Sequence, residues 1–209
     1  MGQHAKLAAI ESMQLARWKG LHLWNLAQQN HEEMRKTGRT IVINVDETWF
    51  TAENRDKQTI HHTNTSKQPS RVNNKPSSDR QLAFSIMCAA CLCQSEEGAE
   101  IKAKYIRPAF VFEGEPKGIL DTGARQDKNA FIRFNKTHYF NTALILEWLD
   151  WLLETALKVN REQDTVFMWW DAAPCHTSEP VMNKLQELQE EGVLYVQFIP
   201  RNTTMLFQV

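Results

Sequence analysis

The stretch Val166 to His176 reads VFMWWDAAPCH, and it restricts the possible folds more than any other part of the chain. Five apolar residues run without a break into Asp171. A short continuous apolar run predicts a strand buried on both faces. Pro174 cannot continue a sheet, so the strand ends near Asp171. A carboxylate is thereby delivered to the carboxyl end of a central strand, where open α/β sheets place their ligands. Residues 40–50, TIVINVDETWF, repeat the pattern, with alternating Ile41, Ile43 and Val45 leading to Asp46. Two strands that each carry an aspartate to one end of a sheet predict a shared carboxylate site for a hard divalent cation.

The order of the remaining elements predicts a mixed sheet flanked by helices. Residues 5–36 have helical spacing, with Ile10, Met13, Leu21 and Trp24 on one face. They predict a helix against the flank of the domain, with Gly20 as a point where it kinks. Residues 81–93 and 101–113 predict two antiparallel strands, and Phe131 to Phe134 a further short one. Asn141 or Thr142 caps a helix whose apolar face includes Ile145, Leu149 and Leu152. Its other stripe, Glu147, Asp150, Glu154 and Lys158, is read as solvated. Ser178 caps the next helix, Gly192 closes it, and Val193 to Ile199 make a last strand. The final part reads as two right-handed β-α-β steps.

Between the first two strands, residues 54–80 are polar and carry Lys67, Arg71 and Lys75 among their basic residues. Such a segment is either a solvated excursion or a basic loop that meets phosphates. The whole chain of 209 residues has a net charge of -1, so no global positive field attracts a polyanion. His61 and His62 are adjacent on a short β-like segment, point to opposite faces, and make a poor metal clamp. Cys88, Cys91 and Cys93 lie in an apolar run, where free cysteine behaves as a small hydrophobe, so neither a zinc finger nor a disulfide framework is expected. No apolar run is long enough to span a bilayer.

Several of these stretches resemble one family in order. NVDETWF at 44–50 resembles the first catalytic motif of DDE transposases of the pogo/Tigger branch of the mariner superfamily. WWDAAPCH at 169–176 resembles the second, with Ala172 where the family usually has asparagine. YIRPAFVFEGEPKG at 105–118 and FIPRNTTMLFQ at 198–208 are similar to connecting segments of the same family. The resemblance implies a ribonuclease H-like α/β fold over residues 39–209, with 1–38 as a helical extension. It also implies a chain that stops before the third catalytic acid, lacks the C-terminal helix, and cuts DNA poorly.

By the same resemblance, Asp46 bridges two Mg²⁺ ions and Asp171 binds one, with Mn²⁺ as a substitute. Their carboxylates are expected about 4–8 Å apart. His176 orients the site or makes a loop-to-helix contact. Glu47 points to the other face of its strand and supports the structure. The partners implied are DNA, through Lys67, Arg71 and Lys75, and a second copy in a homodimer; the location implied is the nucleus. The function implied is metal-dependent DNA phosphodiester cleavage and strand transfer. The alternatives are an inactive nucleic-acid-binding or interaction remnant, and an unrelated α/β metal-dependent phosphatase or nuclease.

Overall fold

A computed structural model describes residues 3–34, 36, 38–52, 82–94, 101–126 and 130–199. In chain order the elements are α1 (Gln3–Glu33), β1 (Thr40–Ala52), β2 (Leu82–Gln94), β3 (Ile101–Glu113), α2 (Ile119–Arg125), β4 (Phe131–Asn135), α3 (Thr142–Trp151), β5 (Thr165–Asp171), α4 (Glu179–Glu190) and β6 (Leu194–Ile199). The six strands form one mixed sheet in the order β4-β3-β2-β1-β5-β6. β1, β2 and β3 make an antiparallel meander, while β5 lies parallel to β1 and β6 parallel to β5. This is the ribonuclease H-like α/β arrangement expected, with helices on both faces.

Alternation along the central strands divides the core. Ile41, Ile43, Val45, Val166, Met168 and Trp170 turn to one face, where Ile145, Trp148 and Leu149 of α3 and Val181, Leu185 and Leu188 of α4 cover them. Val42, Phe167, Trp169 and Tyr195 turn to the other, where Leu23, Trp24, Leu26 and Ala27 of α1 pack. Strands with both faces covered can be apolar at every position, which is why the VFMWW run is continuous.

Asn141 caps α3, its Oδ1 accepting the Leu144 N–H at 3.0 Å. The helix widens into a π-helical turn at Leu152–Ala156 before it ends. Ser178 occupies the N-cap position of α4, but its hydroxyl donates to the Cys175 carbonyl and receives the Thr142 hydroxyl instead of capping. Gly192 follows α4 with φ +67°, a left-handed conformation that glycine adopts without strain.

β4 pairs with β3 at the far edge of the sheet, so the β4-α3-β5 step spans three intervening strands. Three expectations are corrected. Glu147 is not simply solvated: its Oε1 meets Arg125 Nη1 at 2.5 Å and Arg133 Nη2 at 2.7 Å, tying α3 to α2 and β4. Helix α1 runs unbroken through Gly20 and turns Ala16, Gly20 and Ala27 inward, while Ile10 and Leu21 are exposed. The small residues let α1 approach the sheet closely, which outweighs the larger apolar area of Ile10 and Leu21. Finally, Asp46 is not at the end of its strand: β1 extends to Ala52, because pairing with β2 continues as far as Leu82.

Candidate functional site

The two aspartates arrive on neighbouring strands. β1 and β5 are paired in parallel register from Thr40 opposite Thr165 to Asn44 opposite Trp169. Asp46 and Asp171 each lie two residues beyond the last of these pairs. Pairing with β2 fixes the direction of Asp46: it stands opposite Cys88, as Asn44 stands opposite Ala90 and Val42 opposite Leu92. With Thr48 and Tyr105 these residues line a concavity of about 630 Å³ on the α1 side of the sheet. The Cys88 thiol is raised above its usual range by burial and, second, by the Asp46 carboxylate. Asp46 therefore presents negative charge to this concavity.

Glu47 follows Asp46 and turns to the opposite face, as alternation requires. There it stands opposite buried Met87 and reaches toward His176. His176 has no exposed side-chain surface. Its ring stacks on Trp170, with centroids 4.1 Å apart. The short turn after β5 folds it back: the His176 N–H donates to the Ala173 carbonyl at 3.0 Å. His176 Nδ1 lies 3.1 Å from the Asp171 main-chain oxygen and 2.8 Å from Asp171 Oδ1. The main-chain contact has hydrogen-bond geometry; Oδ1 lies off that direction and has no hydrogen-bond partner. His176 Nε2 lies 3.7 Å from Glu47 Oε2 and is also buried without a hydrogen-bond partner.

Burial disfavours charge on His176, but its contacts with Asp171, Cys175 and Glu47 outweigh that and raise its pKa to about 11. The adjacent Cys175 is part of the same cluster: Glu47, Cys175 and His176 offer ligand atoms that all lie within 4.8 Å of one another. Cys175 was not among the candidates read from sequence. The available signal was its position beside His176 in the turn after a strand that ends in aspartate.

Glu47 and His176 thus meet on one face of the sheet, while Asp46 opens onto the other. Asp171 has 29% of its side-chain surface exposed and reaches His176 with one carboxylate oxygen. The hard oxygen donors of Asp46 and Asp171 suit Mg²⁺ or Mn²⁺ in kind. Lys67, Arg71 and Lys75, together with His61 and His62, lie outside the described residues. No helix among the described residues is long and apolar enough to cross a membrane.

No family model matches this chain, and no curated protein matches it. Solved structures of Mos1 transposase are similar to it. A Mos1 paired-end complex with the left transposon end shares 16% identity and a TM-score of 0.32, over 84% of this chain and 39% of that one. A Mos1 mariner paired-end complex with Mn shares 14% identity and a TM-score of 0.28, over 85% and 40%. One with Mg shares 12% identity and a TM-score of 0.30, over 89% and 42%. The chain spans less than half the length of these Mos1 chains. Likeness at this level defines no activity, site or partner.

Proposed function

We propose that this chain is a transposase-derived DDE endonuclease domain in which Asp46 and Asp171 hold a hard divalent cation, Mg²⁺ or Mn²⁺, against a DNA phosphate. The observation that supports the reading is the parallel pairing of β1 and β5, which sets the two strands that carry Asp46 and Asp171 side by side in the centre of the sheet. The motif order around Asp46 and Asp171 supports it from the sequence side. When bound, the metal supplies Lewis-acid activation of an attacking hydroxyl and charge stabilisation at the leaving oxygen. The chain's own part is to orient carboxylate oxygens. His176 Nδ1 stands 2.8 Å from Asp171 Oδ1, a charge contact that the cation would share or replace. Assignment to the pogo/Tigger branch, action in the nucleus and pairing as a homodimer belong to the same proposal.

A second reading, a nucleic-acid-binding module without cleavage, is favoured by that contact. A carboxylate already engaged by a histidine is a weaker metal ligand than a free one.

Mn²⁺ titration followed by electron paramagnetic resonance tests the first reading, with Asp46→Asn and Asp171→Asn as variants. Each is expected to lose most Mn²⁺ binding, and metal-dependent plasmid nicking is expected to fall by about 10²–10³. Binding unchanged in Asp46→Asn would overturn the reading. Changing Lys67, Arg71 and Lys75 to alanine is expected to lower the salt slope of DNA binding by about one for each phosphate no longer neutralised. An unchanged slope would remove that loop from the interface.

A further inference from the structure

We propose that Glu47, Cys175 and His176 form a binding site for one borderline-soft divalent cation of the Zn²⁺ class, on the face of the sheet end opposite Asp46. The site goes beyond the hard-cation reading and rests on a different donor set.

The donors come from two parts of the fold. Glu47 is on β1, and Cys175 and His176 are in the turn between β5 and α4. A thiolate, an imidazole and a carboxylate are the three protein ligand types of zinc sites. Their ligand atoms fall within 4.8 Å of one another.

His176 gives the second, independent observation. Its side chain is wholly buried, and Nε2 faces the Glu47 carboxylate across 3.7 Å, a charge contact in which no hydrogen bond is made. A buried nitrogen held off a carboxylate in this way leaves a place for an ion between them. The gap has the right size. Metal bonds of about 2.0–2.2 Å to nitrogen and oxygen at a tetrahedral angle leave the two donors about 3.4 Å apart. His176 Nε2 and Glu47 Oε2 are 3.7 Å apart, too far for a hydrogen bond and a few tenths of an ångström from a shared metal.

The opposite ring nitrogen is already oriented. Nδ1 lies against the main-chain oxygen and Oδ1 of Asp171. A histidine that meets a carboxylate or carbonyl through one nitrogen and a metal through the other is the usual zinc arrangement, and the outer partner fixes the tautomer. Stacking on Trp170 holds the ring plane. Three protein donors leave a fourth position for water. Binding would tie β1 to the β5–α4 turn and release both the Cys175 thiol proton and the His176 Nε2 proton to solvent.

Co²⁺ is the probe, because a tetrahedral site with a thiolate ligand gives intense visible bands and a sulfur-to-cobalt charge-transfer band. The native chain is expected to bind one equivalent with both signatures, and Zn²⁺ should displace it and raise Tm. Cys175→Ser should abolish the charge-transfer band, and His176→Gln and Glu47→Gln should weaken binding. Cys88→Ser should leave the spectrum unchanged. Asp46→Asn should also leave it unchanged, so this site and the Mg²⁺ site fail separately. Should a variant not fold, as judged by circular dichroism, titration of the native chain still decides: absence of stoichiometric Co²⁺ binding, or an octahedral spectrum without a sulfur band, overturns the proposal. Retention of the band in Cys175→Ser overturns it equally.

Discussion

Gly20→Ala sets two effects of opposite sign against each other. Alanine in a helix interior is ordinarily worth about 1 kcal/mol over glycine. At Gly20, however, an added Cβ falls 2.1, 2.5 and 3.2 Å from three carbons of the Trp169 ring. The shortest of these must open by more than an ångström, so either the ring turns or α1 lifts. The ring is held edge-on to Phe167, 5.7 Å between centroids, and Phe167 in turn meets Trp24 of α1. Overpacking of this kind costs about 1–3 kcal/mol, and the severity of the overlap puts it in the upper half of that range. After the helix gain is subtracted, the expected loss is about 1–2 kcal/mol, or a Tm lower by about 2–8 °C for a chain of this size. Gly123→Ala in α2 is the control: a Cβ there meets nothing within 4 Å, so it should be neutral or stabilising by up to about 1 kcal/mol. Urea denaturation followed by tryptophan fluorescence reads both. A Gly20→Ala protein as stable as the native one would refute the close seating of α1 on β5.

Asp164 is buried and accepts from the Arg39 main-chain N–H at 2.7 Å, the Asn160 N–H at 3.0 Å and the Arg39 guanidinium at 2.6 Å. Burial alone would raise its pKa, but these bonds prevail and hold it below the ordinary carboxylate value. The folded pKa is therefore depressed, and its stabilisation is complete above about pH 3.9 and lost as pH falls through the lower folded value. Asp164→Ala should cost about 3 kcal/mol at pH 7, and the gap from the native protein in urea melts should close only at strongly acid pH. Asn141→Ala removes the α3 cap and should cost about 1 kcal/mol in the same melts, with Asn141→Asp close to native. Leu149→Ala, at a wholly buried position under the sheet, should cost about 2–5 kcal/mol with an unchanged denaturant slope.

The parts of the fold that were legible in the sequence are those whose pattern is local. The buried run at 166–170 and the alternation at 41–45 identify β5 and β1, because burial on two faces or one writes itself directly into residue type. Helix α2 was not legible. Ile119 and Leu120 are exposed and Gly123 interrupts the helical composition. It is held instead by Asp121, whose two oxygens accept from Lys117 and Phe134 main-chain N–H groups. The edge position of β4 was equally hidden, since strand pairing across the sheet leaves no short-range mark. At the candidate site, alternation correctly separates Asp46 from Glu47. It cannot say what each meets, because the contact of Glu47 with His176 depends on how the β5–α4 turn folds back.

That separation has a chemical consequence. Adjacent residues on a strand open to opposite faces, so Asp46 and Glu47 cannot serve one ion without distorting β1, whose pairing with β2 continues without a register shift through both. Asp171 escapes the constraint because it is the last residue of β5, where the chain turns. Like Asp46 it lies two residues beyond the last β1–β5 pair, and its Oδ1 is 2.8 Å from His176 Nδ1. An Asp171 that ligated a cation beside Asp46 would weaken its hold on His176, and firm seating of His176 would reduce what Asp171 offers to that cation. Two proposed cations of different hardness would therefore bind with negative coupling, each lowering the other's affinity by the same factor. Mn²⁺ titrations of the native chain with and without saturating Zn²⁺ measure that factor. Equal Mn²⁺ affinities in the two native titrations would show that Asp171 does not link the faces.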